Sequence, residues 1–325
     1  MKICVLGCGR WGSFLAWYCN YIGASTFLWG RAGSKNIEVF NNSASEQYSG
    51  INSYVALPKA ICITTDFEQA TKDCNLVLIS IPSQKLREFL NSQVVKTIQD
   101  KIVVLCMKGI ELQTGKRLTQ VAIECGLNKD RLAVWAGPGH IQDFVRYLPN
   151  CMLIDSYSQS LTQKLADMLV SKVVRFYYGQ DIIGTEFGAA TKNIIGIIAG
   201  MLDGRDMSCL KGPLMSRGAR EIGRLIDTVG GSHMSAYGLC HLGDYETTLF
   251  SHHSNNRKWG ELFAKGEVYS KLAEGVATAQ AVSNLGKKLN IDLPLTYALN
   301  DALDNKITPI EMLQQLFERP IKCEF

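Results

Sequence analysis

Short apolar runs alternate with amphipathic stretches over the first 179 residues of the chain. The pattern predicts strands at 2–6, 26–29, 60–64, 76–80, 102–107, 132–136, 152–155 and 173–178, and helices at 13–22, 66–72, 84–95 and 160–170. Continuous apolar strands separated by helical segments are typical of a parallel sheet that is covered on both faces. Residues 1–179 are therefore predicted to form one α/β domain.

The chain after Gly179 shows no further strand pattern, and residues 180–325 are predicted to form an all-helical domain. Within it, residues 187–202 are predicted to be one buried helix that carries a single ammonium group, Lys192, in its middle. Burial lowers the pKa of a lysine and makes it usable as a general acid or base near neutral pH. The alternative is a lysine whose stem packs in the core while its head reaches water.

The segment Gly7-Cys8-Gly9-Arg10-Trp11-Gly12 lies between the first predicted strand and the first predicted helix. In this context a GxGxxG pattern indicates a dinucleotide-binding turn. Its first glycine permits the tight turn, its second lets the backbone approach a pyrophosphate, and its third allows close packing of helix on strand. The helix N-terminus then supplies N–H groups to the phosphates. A glycine-rich turn without a ligand is the alternative.

Arg31 lies just past the end of the second predicted strand. An acidic residue at this place holds the ribose 2′-hydroxyl of NAD, whereas an arginine suits the 2′-phosphate of NADP. The sequence therefore favours NADP over NAD, with Ser34 as a second contact. A surface arginine that stacks on the adenine ring is the alternative.

Two further features lie at the carboxyl ends of predicted strands, where parallel sheets bind their ligands. One is Pro82-Ser83, and the other is Lys108-Gly109. From this position Lys108 is expected to direct its charge over the cofactor towards an anionic substrate. The alternative is an ordinary loop lysine.

The helical half has its own concentration of polar residues between 239 and 257. Asp244 and Thr248 are four residues apart and share one face if the segment is helical. The segment 254–257, Ser-Asn-Asn-Arg, is a polar cluster suited to a phosphate, and the alternative is a solvated helix end. Glu274 begins another predicted helix, where it either contacts the cofactor or complements the helix dipole.

Composition and charge exclude several classes of protein. A net charge of +4 over 325 residues is too small and dispersed to indicate nucleic-acid binding. The eleven cysteines include no CxxC pair, which favours a reducing compartment, and Cys240, His241, His252 and His253 match no zinc spacing. No signal peptide is predicted, and no apolar run is expected to reach the ~20 residues of a membrane span. We therefore expect a cytoplasmic protein without a metal site.

Eight motifs resemble those of the bacterial NAD(P)-dependent glycerol-3-phosphate dehydrogenases. They are GCGRWGS at 7–13, MKGIELQTG at 107–115, AGPG at 136–139, GTEFGAATKNIIGIIAGMLDG at 184–204, RGAREIGRL at 217–225, GLCHLGDYETT at 238–248, SNNRKWG at 254–260 and AEGVATA at 273–279. The resemblance implies a Rossmann domain followed by an all-α domain of the 6-phosphogluconate dehydrogenase C-terminal type. It also implies a homodimer that interconverts dihydroxyacetone phosphate and sn-glycerol 3-phosphate for phospholipid synthesis.

The matched motifs imply a role for each of a set of residues. The implied catalytic residues are Lys192, Lys108 and Asp244. The implied cofactor contacts are Gly7, Gly9, Arg10, Trp11, Gly12, Ser13, Arg31, Lys108, Ile141, Asn255, Leu272 and Glu274. The implied substrate contacts are Lys108, Gly137, Gly139, Lys192, Asn193, Asp244, Thr248, Ser254, Asn255 and Asn256.

The chain departs from the family pattern in three places. Asn255 replaces the arginine that resembles a phosphate clamp, and losing such a charge-assisted contact costs on the order of 1.5–3 kcal/mol. The loop GPSFA has become GPGHI at 137–141, and GLAGLGD has become GLCHLGD at 238–244. Arg257, Lys258 or His253 is expected to compensate for the lost arginine.

These departures leave two alternatives to the implied activity. One is a dehydrogenase of the same architecture that acts on a different keto or hydroxy substrate. The other is a weakly active relative that binds the cofactor without efficient turnover.

Overall fold

The structure is a computed structural model that describes residues 1–41, 47–49, 56–321 and 323–324. Its chain forms two compact units. The first comprises Met1–Lys108 and Arg117–Ile182, and the second comprises Gly109–Lys116 and the chain from Ile183 onward. Ile110 belongs to the core of the second unit, which explains why this short segment leaves the first. The domain boundary expected at residue 179 stays a prediction.

Ten strands are present in the described chain. They are β1 (Lys2–Leu6), β2 (Ser25–Trp29), β3 (Gln47–Ser49), β4 (Ala56–Pro58), β5 (Cys62–Thr64), β6 (Leu76–Ile79), β7 (Ile102–Leu105), β8 (Leu132–Ala136), β9 (Asn150–Ser156) and β10 (Val174–Tyr178). Eight of them form one sheet in the order β10-β9-β8-β7-β6-β1-β2-β5, and β3 pairs with β4. The change of direction beside β1 is the arrangement expected of a Rossmann-type domain.

The sheet is mostly parallel, which confirms the predicted α/β class. One pair departs from the all-parallel pattern, because β9 runs antiparallel to β8. A parallel neighbour requires a long crossover, usually through a helix. The connection from β8 to β9 contains only the four-residue helix Ile141–Phe144, so the chain returns in the opposite direction.

Fourteen α-helices are present in the same described ranges. They are α1 (Arg10–Tyr21), α2 (Lys35–Asn41), α3 (Phe67–Thr71), α4 (Leu86–Phe89), α5 (Ser92–Ile98), α6 (Leu118–Glu124), α7 (Ile141–Phe144), α8 (Gln159–Leu169), α9 (Ile182–Gly204), α10 (Lys211–Thr228), α11 (Asn255–Lys265), α12 (Glu274–Lys288), α13 (Pro294–Leu303) and α14 (Pro309–Phe317). Residues Leu242–Asp244 form a 3₁₀ turn, and Glu246–Phe250 form a π-helix.

The single helix predicted over 84–95 is wrong, because the structure divides it. A 3₁₀ turn at Ser83–Lys85 leads into α4, and α5 starts anew after Asn91. The Asn91 side chain accepts hydrogen bonds from the backbone N–H groups of Gln93 and Val94, both at 3.1 Å. Asparagine is a preferred N-cap, and at this position it starts a second helix rather than continuing the first.

Helix α9 corrects the expectation that no apolar segment reaches the length of a membrane span. Its 23 residues are long and apolar enough by length and composition, but 94% of its apolar window is buried inside the protein. Ile194, Ile195 and Ile198 pack in the core of the second unit. The helix is therefore a core helix of the kind found in soluble proteins.

The backbones of helices α9 and α11 pack directly against each other. A Cβ atom added at Gly200 would overlap the carbonyl oxygen of Arg257, and one added at Gly260 would overlap that of Ile197. Only glycine permits such a close approach. The contact places the start of α11 directly beside the helix that carries Lys192.

Candidate active site

The glycine turn of the first unit has a shape that requires its glycines. Gly7 has φ +115°, and a Cβ atom there would overlap the carbonyl oxygen of Ser80 at the end of β6. A Cβ atom at Gly12 would overlap the carbonyl oxygen of Gly7. The two glycines therefore bring the start of α1 directly against the ends of β1 and β6.

Gly9 has a different environment. A Cβ atom placed on it would meet no described atom within 4 Å, so its backbone faces open space. Gly9 is the N-cap of α1, whose first turn contains no acidic residue. The turn therefore fits a dinucleotide pyrophosphate, since N–H groups at a helix start attract anions.

Packing fixes side chains at the start of α1, next to the glycine turn. Arg10 and Trp11 are half-buried, and Ser13 is buried. The Trp11 ring lies 4.8 Å from the ring of Phe14 in the sheet core. Trp11 is thus held by packing beside the open backbone of Gly9.

Arg31 lies at the same edge of the sheet as the glycine turn. Trp29, the last residue of β2, pairs with Leu6, and its carbonyl oxygen accepts a hydrogen bond from Gly7 N at 2.9 Å. Arg31 follows two residues later and is exposed. An exposed guanidinium at this place is consistent with contact to the adenosine end of a dinucleotide.

Lys108 and the loop after β8 meet within the first unit. The Lys108 ammonium donates a hydrogen bond to the carbonyl oxygen of Gly137 at 2.9 Å. Gly137 has φ +121°, a conformation that side chains other than glycine rarely adopt. Two predicted substrate contacts are therefore neighbours.

The structure also explains the departure at Gly139. This residue has φ +157°, and a Cβ atom there would overlap the ring of Phe144. The family's serine is therefore excluded by the conformation of this loop. Ile141, predicted as a cofactor contact, is buried at the first position of α7.

The second unit contains a buried lysine–aspartate pair. Lys192 Nζ lies 2.6 Å from Asp244 Oδ2, and the two side chains are 9% and 1% exposed. The same ammonium donates a hydrogen bond to Thr248 Oγ1 at 2.8 Å. The predicted catalytic lysine is thus buried with a carboxylate and a hydroxyl as partners, and it does not snorkel to solvent.

Asp244 and Thr248 reach Lys192 through irregular helical geometry. Asp244 ends the 3₁₀ turn, and Thr248 lies in the π-helix that follows. A Cβ atom at Gly196 would lie 2.7 Å from Thr248 Cγ2, so the small residue on α9 makes room for the threonine. π-Helices are rare in proteins, and those that occur often lie at functional sites.

Further predicted substrate residues surround the same part of α9. Asn193 is buried next to Lys192, and Asn256 Oδ1 accepts a hydrogen bond from Gly275 N at 2.9 Å. A Cβ atom at Gly275 would lie 2.7 Å from the carbonyl oxygen of Asn193. The starts of α11 and α12 therefore converge beside Lys192.

The remaining predicted contacts of this unit lie at the same helix starts. Ser254 caps α11 by accepting a hydrogen bond from Arg257 N at 3.2 Å. Asn255 accepts one from the Tyr269 hydroxyl at 2.8 Å. Glu274 is the first residue of α12, and Leu272 just before it is 60% exposed.

The expectation that Arg257 replaces the missing phosphate clamp is wrong. Its side chain is 7% exposed and forms an ion pair with Asp203 and a second one with Glu261 at 3.4 Å. Lys258 is also paired with Glu261, at 3.1 Å. Arg257 turns inwards because the close packing of α11 on α9 places it above the carboxylate of Asp203.

His241, which occupies a position where the family has glycine, is fully buried. Its Nδ1 lies 2.9 Å from the carbonyl oxygen of Gly188 and therefore donates, so Nε2 accepts a hydrogen bond from the Tyr245 hydroxyl at 2.6 Å. Burial lowers the pKa of His241 to about 4, against the raising effect of the Gly188 carbonyl. This neutral imidazole ties the loop that carries Asp244 to the turn of α9 before Lys192.

Comparison with known families agrees with this arrangement. The sequence model described as "NAD-dependent glycerol-3-phosphate dehydrogenase N-terminus" matches residues 2–162, and its C-terminal counterpart matches residues 181–314. The chain belongs to the NAD-dependent glycerol-3-phosphate dehydrogenase family. The resemblance seen in the motifs is thereby confirmed, together with the enzyme class and the use of NAD or NADP.

Individual members of the glycerol-3-phosphate dehydrogenase family match the chain along its whole length. The enzyme named for NAD(P)+ from Chlorobium phaeobacteroides (strain BS1) is 35% identical, with 99% of each chain covered. That from Thermoanaerobacter sp. (strain X514) is 33% identical, covering 100% of this chain and 99% of its own.

Solved structures of glycerol-3-phosphate dehydrogenases share the fold. The enzyme from Coxiella burnetii has a TM-score of 0.87 at 27% identity, with 98% of this chain and 99% of that one covered. The enzyme from Saccharomyces cerevisiae has a TM-score of 0.79 at 18% identity, with 98% and 99% covered. These matches confirm the predicted combination of a Rossmann-like sheet and a helical C-terminal part.

Sequence reasoning missed the ion pairs at the end of α9, which involve Asp203, Lys211 and Arg257. Asp203 lies one residue beyond the predicted helix 187–202, and no feature of the sequence pattern indicated its partners. The roles of the individual site residues stay predictions.

Proposed function

We propose that this protein interconverts dihydroxyacetone phosphate and sn-glycerol 3-phosphate, with NADPH preferred over NADH. The observation that carries the proposal is the buried cluster of Lys192, Asp244 and Thr248 within the family's own motifs. A dehydrogenase with a different substrate and a weakly active relative are the two alternatives, and an activity assay separates them from the proposal.

A nicotinamide cofactor, once bound, would supply a hydride to C2 of the ketone. Lys192, in its ammonium form, polarises the C2 carbonyl oxygen and donates its proton as negative charge develops there. Asp244, 2.6 Å away, stabilises the ammonium before transfer and orients it. Thr248 Oγ1 accepts a hydrogen bond from the same ammonium at 2.8 Å and so helps to orient it. In the reverse direction Lys192 accepts the proton of the C2 hydroxyl.

The substrate phosphate is assigned to the start of α11. Ser254, Asn255 and Asn256 lie at its N-terminal end, whose first turn contains no acidic residue. Backbone N–H groups and the helix dipole favour an anion there. Asn255 contributes an amide instead of a guanidinium, so we expect a weaker affinity for phosphate than in relatives with arginine. Lys108, in the first unit, is assigned to the substrate by resemblance to the family.

The cofactor is assigned to the glycine turn and to Arg31. The open backbone at Gly9 fits the pyrophosphate, and the exposed Arg31 fits a 2′-phosphate. Ile141, Leu272 and Glu274 are assigned to the cofactor by resemblance to the family, with Glu274 near the nicotinamide side. Removing Arg31 should therefore raise KM for NADPH about tenfold or more and leave KM for NADH within twofold.

An initial-rate assay tests the proposal. Dihydroxyacetone phosphate should oxidise NADPH faster than NADH, whereas 2-keto acids without a phosphate should give no turnover. Turnover with such a keto acid alone would establish the alternative substrate. Tight NADPH binding without turnover on any of these ketones would establish the weakly active relative.

We further propose that the protein is a cytoplasmic homodimer that supplies glycerol 3-phosphate for phospholipid synthesis. The buried position of α9 and the family membership support a soluble enzyme. Light scattering after gel filtration should give about twice the chain mass of 36.0 kDa. A mass of one chain would contradict the dimer.

A further inference from the structure

A second buried ionic cluster lies at the far end of α9. Asp203 Oδ1 is 2.7 Å from Lys211 Nζ, and Asp203 Oδ2 forms an ion pair with Arg257 Nη1. Ser208 Oγ also donates a hydrogen bond to Asp203, at 2.6 Å. The side chains of Asp203, Lys211 and Arg257 are 15%, 8% and 7% exposed. This arrangement places two cations on one carboxylate.

Both cations also hold the backbone of the segment that contains Thr248. Lys211 Nζ donates a hydrogen bond to the carbonyl oxygen of Leu249 at 2.9 Å. Arg257 Nε donates one to the carbonyl oxygen of Ser251 at 3.2 Å. Carbonyl groups at the end of a helix lack intrahelical donors, so these two contacts complete the end of the π-helix.

Helix α9 is therefore linked to this segment at two separate points, directly at Lys192 and indirectly at Asp203. Lys192 binds the side chains of Asp244 and Thr248. Asp203 lies eleven residues later, about three helical turns at 3.6 residues per turn, and acts on the segment through Lys211 and Arg257. Because both points belong to one continuous helix, the position of Thr248 relative to Lys192 depends on both.

We propose that Asp203 is a positioning residue for the reaction, which acts by fixing the π-helix Glu246–Phe250 so that Thr248 meets the ammonium of Lys192. The proposal rests on the proposed function of Lys192 as the proton donor. Removing one partner of a buried ionic group leaves an uncompensated charge. Without the Asp203 carboxylate, Lys211 loses its ion-pair partner and Arg257 keeps only Glu261, so we expect their hydrogen bonds to the carbonyl oxygens of Leu249 and Ser251 to weaken.

The ionisation of Asp203 agrees with this role. Burial raises the pKa of its carboxyl, but hydrogen bonds from Lys211, Ser208 and Arg257 outweigh burial and hold the pKa below its ordinary value. Asp203 is therefore ionised near neutral pH.

The substitution Asp203→Asn tests the proposal because it keeps the shape and removes the charge. We expect kcat at 15 °C to fall about tenfold or more, while the dissociation constant of NADPH stays within twofold. The matched control is Asp301→Asn, whose carboxylate pairs with Lys306 at the surface and should leave kcat unchanged. A wild-type kcat in Asp203→Asn would overturn the proposal.

A double-mutant cycle with Thr248→Val separates positioning from general stability. If Asp203 acts through Thr248, the double variant should be about as slow as Thr248→Val alone. If the losses of kcat in the two single variants instead multiply in the double variant, the two residues act independently and the proposal is overturned. If Asp203→Asn does not fold, Lys211→Met takes its place in the cycle, since Arg257 then neutralises Asp203 while the contact to Leu249 is lost.

Hydrogen exchange provides a readout that does not depend on activity. Amides at 246–251 should exchange faster in Asp203→Asn than in the wild type, whereas Asp301→Asn should not change them. Unchanged exchange in Asp203→Asn would overturn the inference even if Lys192→Ala is inactive. Full activity of Lys192→Ala combined with faster exchange would instead contradict the proposed function and leave the structural link intact.

Discussion

Two buried lysines reach the same short segment of the second unit from different helices. Lys192 lies 2.6 Å from Asp244, and Lys211 lies 2.7 Å from Asp203. Their side chains are 9% and 8% exposed. By burial and by ion pairing the two lysines are nearly alike, and neither property separates a catalytic lysine from a structural one.

The difference lies in what each ammonium contacts besides its carboxylate. Lys192 donates to the hydroxyl of Thr248, a side chain. Lys211 donates to the backbone carbonyl of Leu249, lies 5.0 Å above the ring of Phe250, and shares Asp203 with Arg257. A lysine bound to backbone and enclosed by a ring and a second cation holds the chain in place. A buried lysine–aspartate pair therefore supports a catalytic assignment only when its other partners are known.

The largest effect is expected from Lys192→Ala. Loss of a positioned general acid should lower kcat about 10²–10⁴-fold. Steady-state rates with dihydroxyacetone phosphate measure the loss, and fluorescence titration should show NADPH binding near that of the wild type. Equal activity losses in Lys192→Ala and Lys211→Met would abolish the distinction between the two lysines.

A smaller loss of rate and a clear loss of stability are expected from Lys211→Met. The variant loses charge-assisted hydrogen bonds to Asp203 and Leu249, each worth about 1.5–3 kcal/mol, while Arg257 still neutralises Asp203. The free energy of unfolding should fall by about 3–6 kcal/mol, measured by urea denaturation, and kcat by about tenfold. A drop in kcat as large as that of Lys192→Ala, with no loss of stability, would reverse the two roles.

The pH dependence of stability tests the neutral His241 beside Lys192. The folded pKa of about 4 lies below the ordinary value of 6.5, so the unfolded chain binds more protons between these values. The contribution of His241 is full above pH 6.5 and is lost as the pH falls towards 4. Replacing it with glutamine should remove about 2 kcal/mol of stability change between pH 6.5 and 4.5, as 1.36 kcal/mol per pKa unit implies.

A second buried group, Glu221, also titrates in this pH range and has to be separated from His241. Burial raises the pKa of Glu221 to about 7, which gives a slope of opposite sign over an overlapping pH range. Only the difference between the wild type and His241→Gln isolates the histidine. Parallel stability–pH curves for the two proteins would show that His241 is not held neutral.

The smallest effect is expected from Asn255→Arg, which restores the guanidinium at the start of α11. Because Arg257 is committed to Asp203, the new arginine would be a cation near the proposed phosphate site that is not part of that ion pair. KM for dihydroxyacetone phosphate should fall about tenfold, and kcat should change little. An unchanged KM would show that the phosphate does not bind at this helix start.

The parts of the protein that were predictable from sequence depend on local geometry. Gly12 is required by a contact to Gly7 within a single strand–turn–helix unit, and Lys192 stood out as one charge in an apolar helix. The direction of β9 and the division at Asn91 depended on a short connection and a side-chain cap, which the apolar pattern does not record.

The remaining parts depended on contacts between distant segments. Arg257 pairs with a carboxylate 54 residues away, so the sequence shows a polar cluster but not which way each side chain turns. The π-helix that brings Thr248 to Lys192 is held by Lys211 and Arg257 from other helices. Such side-chain geometry follows from packing and has no signature in the residue pattern.

Chemical rescue of Lys192→Ala by added alkylamines tests the role of the Lys192 ammonium most directly. If that ammonium is the proton donor, turnover of dihydroxyacetone phosphate by the variant should rise in proportion to amine concentration and follow the acidity of the alkylammonium ion. The wild type should not respond to the same amines. A Lys192→Ala enzyme that turns over at the wild-type rate without any amine would contradict the assignment of Lys192 as the proton donor.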